Sequence, residues 1–210
     1  MPVRSILPAI VLSAGKSRRM GRTKALLPTD IAGETFITRI VRALRAGGVD
    51  DVLVVVGSAG PQITQALASL DPPPRTVVNP RPEEGQLSSL LTGLAAVDRP
   101  GVGGLMVTLV DVPLIDAETV RRLRVRHQET GAPFVRPVNN GRHGHPVIFD
   151  RAVFDDLRSA DRALGAKPVV RAYLDRSVEV PVELEGPFLD VDTPAAYEQV
   201  FGRPVPSVSQ

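Results

Sequence analysis

Ala9-Ile10-Val11-Leu12-Ser13-Ala14-Gly15-Lys16-Ser17-Arg18-Arg19-Met20-Gly21-Arg22-Thr23-Lys24 is the stretch on which the reading of the fold turns. Its first four residues make a continuous apolar run, the pattern of a strand buried on both faces of a sheet. The polar, glycine-containing remainder predicts a long loop that reaches Pro28. A buried strand that opens into a basic loop is the start of an α/β ligand-binding unit, because such sheets bind beyond the carboxyl ends of their strands.

The downstream sequence repeats the alternation. Ile37, Ile40, Val41 and Leu44 fall at helical spacing and stop at Gly47-Gly48. Val52 to Val56 reads as a second buried strand, and Pro61 opens a helix that carries Ile63 and Leu67. A third strand, Thr76 to Val78, ends at Asn79-Pro80; Leu87, Leu90, Leu91 and Leu94 then form a helical stripe. Leu105 to Val110 is the fourth strand and runs into Asp111-Val112-Pro113-Leu114, followed by a helix from Asp116 to about Gln128. Later strands are expected at 133–136, 145–149 and 178–182, with helices near 152–157 and 168–174 and a last one from Pro194. This predicts one α/β domain over residues 1–202, three layers with a mostly parallel sheet, and a disordered tail over 203–210.

Composition narrows the function classes. With 210 residues and 43% hydrophobic content the chain suits one compact domain. No apolar run reaches the roughly 18–20 residues of a membrane span, and Met1-Pro2-Val3-Arg4 does not begin a signal peptide. No membrane partner and a cytoplasmic location are expected. A cysteine count of zero excludes disulfide scaffolds, thiolate metal sites and cysteine nucleophiles. A net charge of +2 with 4% aromatics gives neither the charge nor the stacking surface for nucleic-acid binding. Arg121, Arg122, Arg124 and Arg126 read as the solvated face of a helix.

The loop after the first strand is neither of the common phosphate motifs. Position 13 is serine where a dinucleotide-binding turn needs its first glycine. Five residues separate Gly15 from Gly21 where a P-loop has four, and Arg22 follows in place of Lys-Ser/Thr. Two readings remain: a triphosphate cradle of another kind, with backbone N–H groups near the glycines and charge from Arg19 and Lys24, or a solvated basic loop. Asp111 at a strand end is equally a ligand-edge carboxylate or a turn cap. In Asp190-Val191-Asp192-Thr193-Pro194, alternate aspartates of extended chain share one side, while Asp192 or Thr193 is also placed to cap the last helix.

The ordered set of motifs decides among these. A-G-x-S-x-R-M-G-x-x-K over residues 14–24, followed by Ala25-Leu26-Leu27-Pro28, resembles the signature loop of the MobA-like NTP transferases. Asp111-Val112-Pro113-Leu114 resembles the family's D-x-P-L, and residues 190–194 its D-I-D-T-P. Asn79-Pro80 with Gly85 to Leu90 resembles N-P-x-x-x-x-G-x-x-x-S-L, and Gly141 to Val147 resembles G-x-x-G-H-P-V. The matches run in order from about residue 9 to 198. The resemblance implies a Rossmann-like sheet of the nucleotide-diphospho-sugar transferase type and a nucleotidyltransferase activity. It implies nucleotide contacts at Leu12, Ser13, Ala14, Gly15, Ser17, Arg19, Lys24, Asn79, Gly85, Ser89 and Asp111. Lys24, Arg19 and Asp111 become the catalytic set, Asp111 and Asp192 the ligands of Mg²⁺, and Gly144 and His145 the acceptor side.

Within the family, alanine at position 14 and the G-H-P-V and D-V-D-T-P motifs resemble the molybdenum cofactor cytidylyltransferases more than the L-A-G-G guanylyltransferases. CTP is therefore the expected NTP and GTP the alternative. The expected acceptor is of molybdopterin type, with another phosphorylated acceptor as the alternative and a molybdenum hydroxylase or its chaperone as a partner. A non-catalytic carrier of the molybdenum cofactor is the competing reading from another class.

Overall fold

The computed structural model describes residues 5–206. The first strand, β1 (Ala9–Ser13), is buried along its whole length. Alternate side chains diverge from it: Ala9 and Val11 enter one apolar cluster, Ile10 and Leu12 another. β2 (Val52–Val56) and β4 (Gly104–Leu109) lie on either side of β1, both parallel to it, and β3 (Arg75–Val78) extends the sheet beyond β2. Helices α1 (Phe36–Ala46), α2 (Gly60–Leu67) and α4 (Ala117–Thr130) fill one face through residues such as Ile40, Ile63 and Leu123. On the other face lie α3 (Gln86–Val97), α5 (Phe154–Ser159) and α6 (Lys167–Ala172), held by Leu90, Leu157 and Val169. The three expected layers are thus two helical layers about one sheet.

The second half of the chain adds a mixed wing. β7 (Val147–Asp150) pairs antiparallel with β4, and β5 (Phe134–Asn139) pairs antiparallel with β7 and with the short β6 (Arg142–His143). β8 (Val178–Pro181) runs parallel to β5 on its other edge, since Val135 is matched to both Ile148 and Val178. The order is β3-β2-β1-β4-β7-β5-β6 with β8 beside β5. The strand expected from His145 begins instead at Val147. Pro146 has no N–H to give a ladder, and the amides before it bond elsewhere than β4, Gly144 to the Pro137 carbonyl of β5 at 3.3 Å and His145 to that of Pro187 at 2.9 Å. Only a short 3₁₀ turn, Lys24–Leu26, interrupts the long first loop.

The last helix, α7 (Pro194–Phe201), packs Tyr197 and Phe201 against Phe36, with Met20, Leu27 and Val191 in the same cluster. Residues 203–206, counted with the tail in the sequence, fold back onto the domain: Arg203 donates to the Thr29 carbonyl and Val205 joins the Phe36 cluster. Residues 1–4 and 207–210, and the expectations that fall on them, lie outside the described residues. Within those residues no helix is long and apolar enough to cross a membrane.

α3 crosses β1 and β2 at Gly93, where a Cβ would stand 2.7 Å from Ile10 Cδ1 and 2.9 Å from Val55 Cγ2. Gly93→Val is expected to cost about 1–3 kcal/mol by overpacking, read as a lower urea midpoint at unchanged slope. An unchanged midpoint would show that the helix can lift off without loss.

Candidate active site

The chain runs outward from β1 through β2 to β3, then returns to place β4 on the other flank of β1. The carboxyl ends of β1 and β4 are therefore the point where strand order reverses, the usual crevice for a ligand. The loop of residues 14–23 leaves the first and the turn at Asp111 leaves the second. Buried Val112 and Ile115 anchor that turn. The Val191 N–H donates to the Asp111 carbonyl at 2.7 Å, which brings the Asp190–Asp192 segment alongside it. Thr193, rather than Asp192, caps α7 by accepting from the Ala196 N–H at 3.2 Å. Asp192 is thereby left for the crevice.

Lys24 joins the three pieces. Its Nζ donates to Asp111 Oδ2 at 3.1 Å and also to Asp192 Oδ1. Arg19 reaches the other oxygen of Asp192 at 2.5 Å. The loop is shaped for this: Met20 is buried in the Phe36 cluster, and Ser17 Oγ accepts from the Lys24 N–H at 3.2 Å. Gly21 adopts a φ of 72°, which glycine takes without strain. Partial burial pushes the Asp192 carboxyl upward, but the Lys24 hydrogen bond and the charges of Lys24 and Arg19 outweigh it and hold the group below the usual carboxylate range. Asp190 goes the other way, raised by burial and then by the negative charges of Asp111 and Asp192.

Around this cluster is a cavity of about 260 Å³ lined by Leu12, Ala14, Gly15, Ser17, Lys24, Gly85, Ser89 and Asp111 among others. These eight are residues the sequence singled out. Ser13, Arg19, Asn79 and Asp192 do not line it. Asn79 is 2% exposed and spends its amide on the loop: it donates to Ser89 Oγ at 3.0 Å and accepts from the Arg81 N–H at 2.9 Å. It shapes the turn that delivers Gly85 and α3. Pro82, Gln86, Leu109 and Val110, outside the set the sequence singled out, also line the cavity. Gln86 follows Gly85 at the start of α3, so the motif that found the glycine also reached it.

A second cavity, about 650 Å³, shares Leu12, Gly85, Gln86 and Leu109 with the first and opens toward the β5–β7 wing. Gly144 and His145 line it, over a floor that includes Phe134 and Phe149. A Cβ on Gly144 would stand 2.3 Å from the Pro187 carbonyl oxygen, so only glycine fits. Burial lowers the His145 imidazole below the ordinary histidine range, against a long 3.5 Å contact with the Val107 carbonyl and the charge of Asp111. Elsewhere, Arg121 and Arg126 pair on the exposed side of α4 with Glu118 and Glu129. Arg124 instead ties α4 to the Gly47 carbonyl at 2.8 Å.

The residues suit a hard cation. Asp111 Oδ1 is buried without a hydrogen-bond partner, a costly condition that a cation would relieve. No three His, Cys, Asp or Glu groups converge on one metal position among the described residues; the Lys24 ammonium stands between Asp111 and Asp192 instead.

A histidine whose native pKa lies below its unfolded value near 6.5 leaves the unfolded chain binding more protons just beneath that pH, so stability rises with pH there. His145→Gln is expected to flatten the loss of stability between about pH 7.5 and 5.5, measured as urea midpoints of both proteins. An equal loss in both would assign the effect to other groups.

The family model described as the MobA-like NTP transferase domain matches residues 9–178. The purine catabolism protein PucB of Bacillus subtilis is 26% identical over 92% of this chain and 95% of its own length. The bifunctional protein GlmU of Streptomyces avermitilis is 33% identical over 60% of this chain, which spans only 27% of that relative. Among solved structures, Rv0371c of Mycobacterium tuberculosis aligns with a TM-score of 0.76 at 28% identity, covering 97% of this chain and 100% of that one. A complex of Rv0371c with manganese aligns with a TM-score of 0.71 at 27% identity, covering 94% and 99%. The chain belongs to the MobA-like NTP transferase family, and residues 9–178 form its nucleotidyltransferase domain.

Proposed function

We propose that the chain transfers CMP from CTP to the phosphate of a molybdopterin-type acceptor and releases pyrophosphate. The observation that carries this reading is the pair of adjoining cavities, with Lys24 and Asp111 lining the narrow one, Asp192 bonded to Lys24 behind them, and an apolar, aromatic-floored wall in the wide one. In the reaction an acceptor phosphate oxygen forms a bond to the α-phosphorus of the NTP while the bond to pyrophosphate breaks. Phosphate monoesters are largely dianionic near neutral pH, so the nucleophile needs no base. The protein's share is positioning and charge neutralisation. Lys24 and Arg19 neutralise charge passing to pyrophosphate, and Gly15 lets backbone approach the nucleotide closely. Asp111 and Asp192 would hold Mg²⁺, which supplies a Lewis acid for the phosphate oxygens; the manganese in the Rv0371c complex supports a divalent ion.

Alanine at position 14, with the G-H-P-V and D-V-D-T-P motifs, favours CTP over GTP. A carrier of the finished cofactor would need the wide cavity alone; the intact cationic and carboxylate cluster beside it favours catalysis. The setting is the cytoplasm, where NTPs are available, with a molybdenum hydroxylase or its chaperone receiving the product.

With Mg²⁺ and molybdopterin, pyrophosphate release is expected with CTP and not with ATP or UTP. Release with GTP in place of CTP would move the assignment to guanylyl transfer, and silence with all four would reject the acceptor. Asp111→Ala and Lys24→Met are each expected to slow release by at least about 100-fold, with molybdopterin binding retained. Full-rate delivery of cofactor to a hydroxylase by Asp111→Ala would favour the carrier.

A further inference from the structure

The wide cavity carries charge that the reaction itself does not use. Six cationic or imidazole side chains line it from the β5–β7 wing and the segment around α6, His145 among them. Three already have partners: Arg136 and His143 both bond Glu179, at 2.7 and 2.8 Å, and Arg162 bonds Glu84. Lys167 and Arg171 have neither an ion-pair nor a hydrogen-bond partner among the described residues. They stand four residues apart on α6, so their side chains lie one above the other on one helix face. Neither lines the cavity that holds Lys24 and Asp111.

The same segment leaves apolar surface at the same mouth. Leu164 is 61% exposed and Leu174 38% exposed, and both line the wide cavity. Opposite them, the Phe134 and Phe149 rings pack 5.1 Å apart in the floor. Two unpaired cations set in an apolar rim complement a molecule with a flat apolar body and an anionic group. A small polyol or sugar phosphate has no such body, and its reacting phosphate belongs beside Lys24.

We propose that Lys167 and Arg171 are specificity residues, which hold a negatively charged group of the acceptor at the end remote from its reacting phosphate. The acceptor is then an amphipathic molecule with two separated anionic ends. This rests on the reading above only in assigning the wide cavity to the acceptor. The two residues touch no reacting atom, so their effect falls on acceptor binding and not on the chemical step.

A pair of fluorescent probes isolates the claim from catalysis: 8-anilinonaphthalene-1-sulfonate, an aromatic anion, and N-phenyl-1-naphthylamine, the same body without the sulfonate. The native chain is expected to bind the sulfonate more tightly. In K167Q/R171Q its affinity should fall on the order of 10- to 100-fold, the worth of one or two charge-assisted hydrogen bonds, while the neutral probe binds as before. Equal binding of the sulfonate by the native chain and the variant overturns the proposal, as does an equal loss in the control R121Q/R122Q on α4. In the pyrophosphate assay K167Q/R171Q should raise KM for molybdopterin by a similar factor and leave KM for CTP and kcat unchanged; a fall in kcat alone also overturns it. Failure of the native chain to turn over molybdopterin would reject the proposed acceptor while the probe result stands separately.

Discussion

Three loops that are distant in sequence meet at one ammonium group. Lys24 comes from the loop after β1, Asp111 from the end of β4 and Asp192 from the approach to α7, and the lysine binds both carboxylates. Like charges so close repel strongly in a partly dry crevice, so the crevice can close only with a cation among them. Arg19 adds a second, more exposed cation on Asp192. The rest of the site follows from this constraint. The loop must turn at Ser17 and Gly21 to deliver Lys24, Met20 must be buried to hold the turn, and Val191 must bond the Asp111 backbone to bring the far carboxylate in.

Backbone contacts around the crevice leave little room for that arrangement to shift. A Cβ on Gly57 would stand 2.6 Å from the Ala14 carbonyl oxygen, and one on Gly186 would stand 2.0 Å from that of Leu114. The first glycine lets β2's exit press on the loop after β1. The second lets the turn before Asp190 press on the turn after Asp111. Loops fixed in this way lose little freedom when a ligand arrives, which is how a scaffold of loops supplies preorganised charge.

Much of this was legible in the sequence, for physical reasons that differ from part to part. The central strands were plain because burial on both faces demands unbroken apolar runs, as in Val52 to Val56. Lys24, Asp111 and Asp192 were legible as motif positions, but only folding shows that one lysine serves both carboxylates. Asn79 was read as facing the nucleotide, and the structure turns its amide into the loop; a motif records that a residue matters and not whether it acts on ligand or on backbone. The wing was the least legible. Gly144 still bonds β5 at Pro137, His145 bonds the Pro187 carbonyl and Pro146 has no N–H to give, so pairing with β4 breaks there and the strand begins two residues later than its apolar pattern suggests. The helix near 168–174 was legible, but six residues are too few to show from periodicity that Lys167 and Arg171 line a cavity.

The packing of Met20 and Val191 in one cluster with Phe36 and Tyr197 links the loop after β1 to the last helix. Synthesis proceeds from the amino end, so the loop emerges long before the segment that buries Met20 and supplies Asp192. A nascent chain that stops short of residue 190 has Lys24 beside Asp111 alone and no Tyr197 hydroxyl to bond the Pro28 carbonyl. The junction of Lys24 with both carboxylates is thus completed only when the segment from residue 190 onward joins the fold.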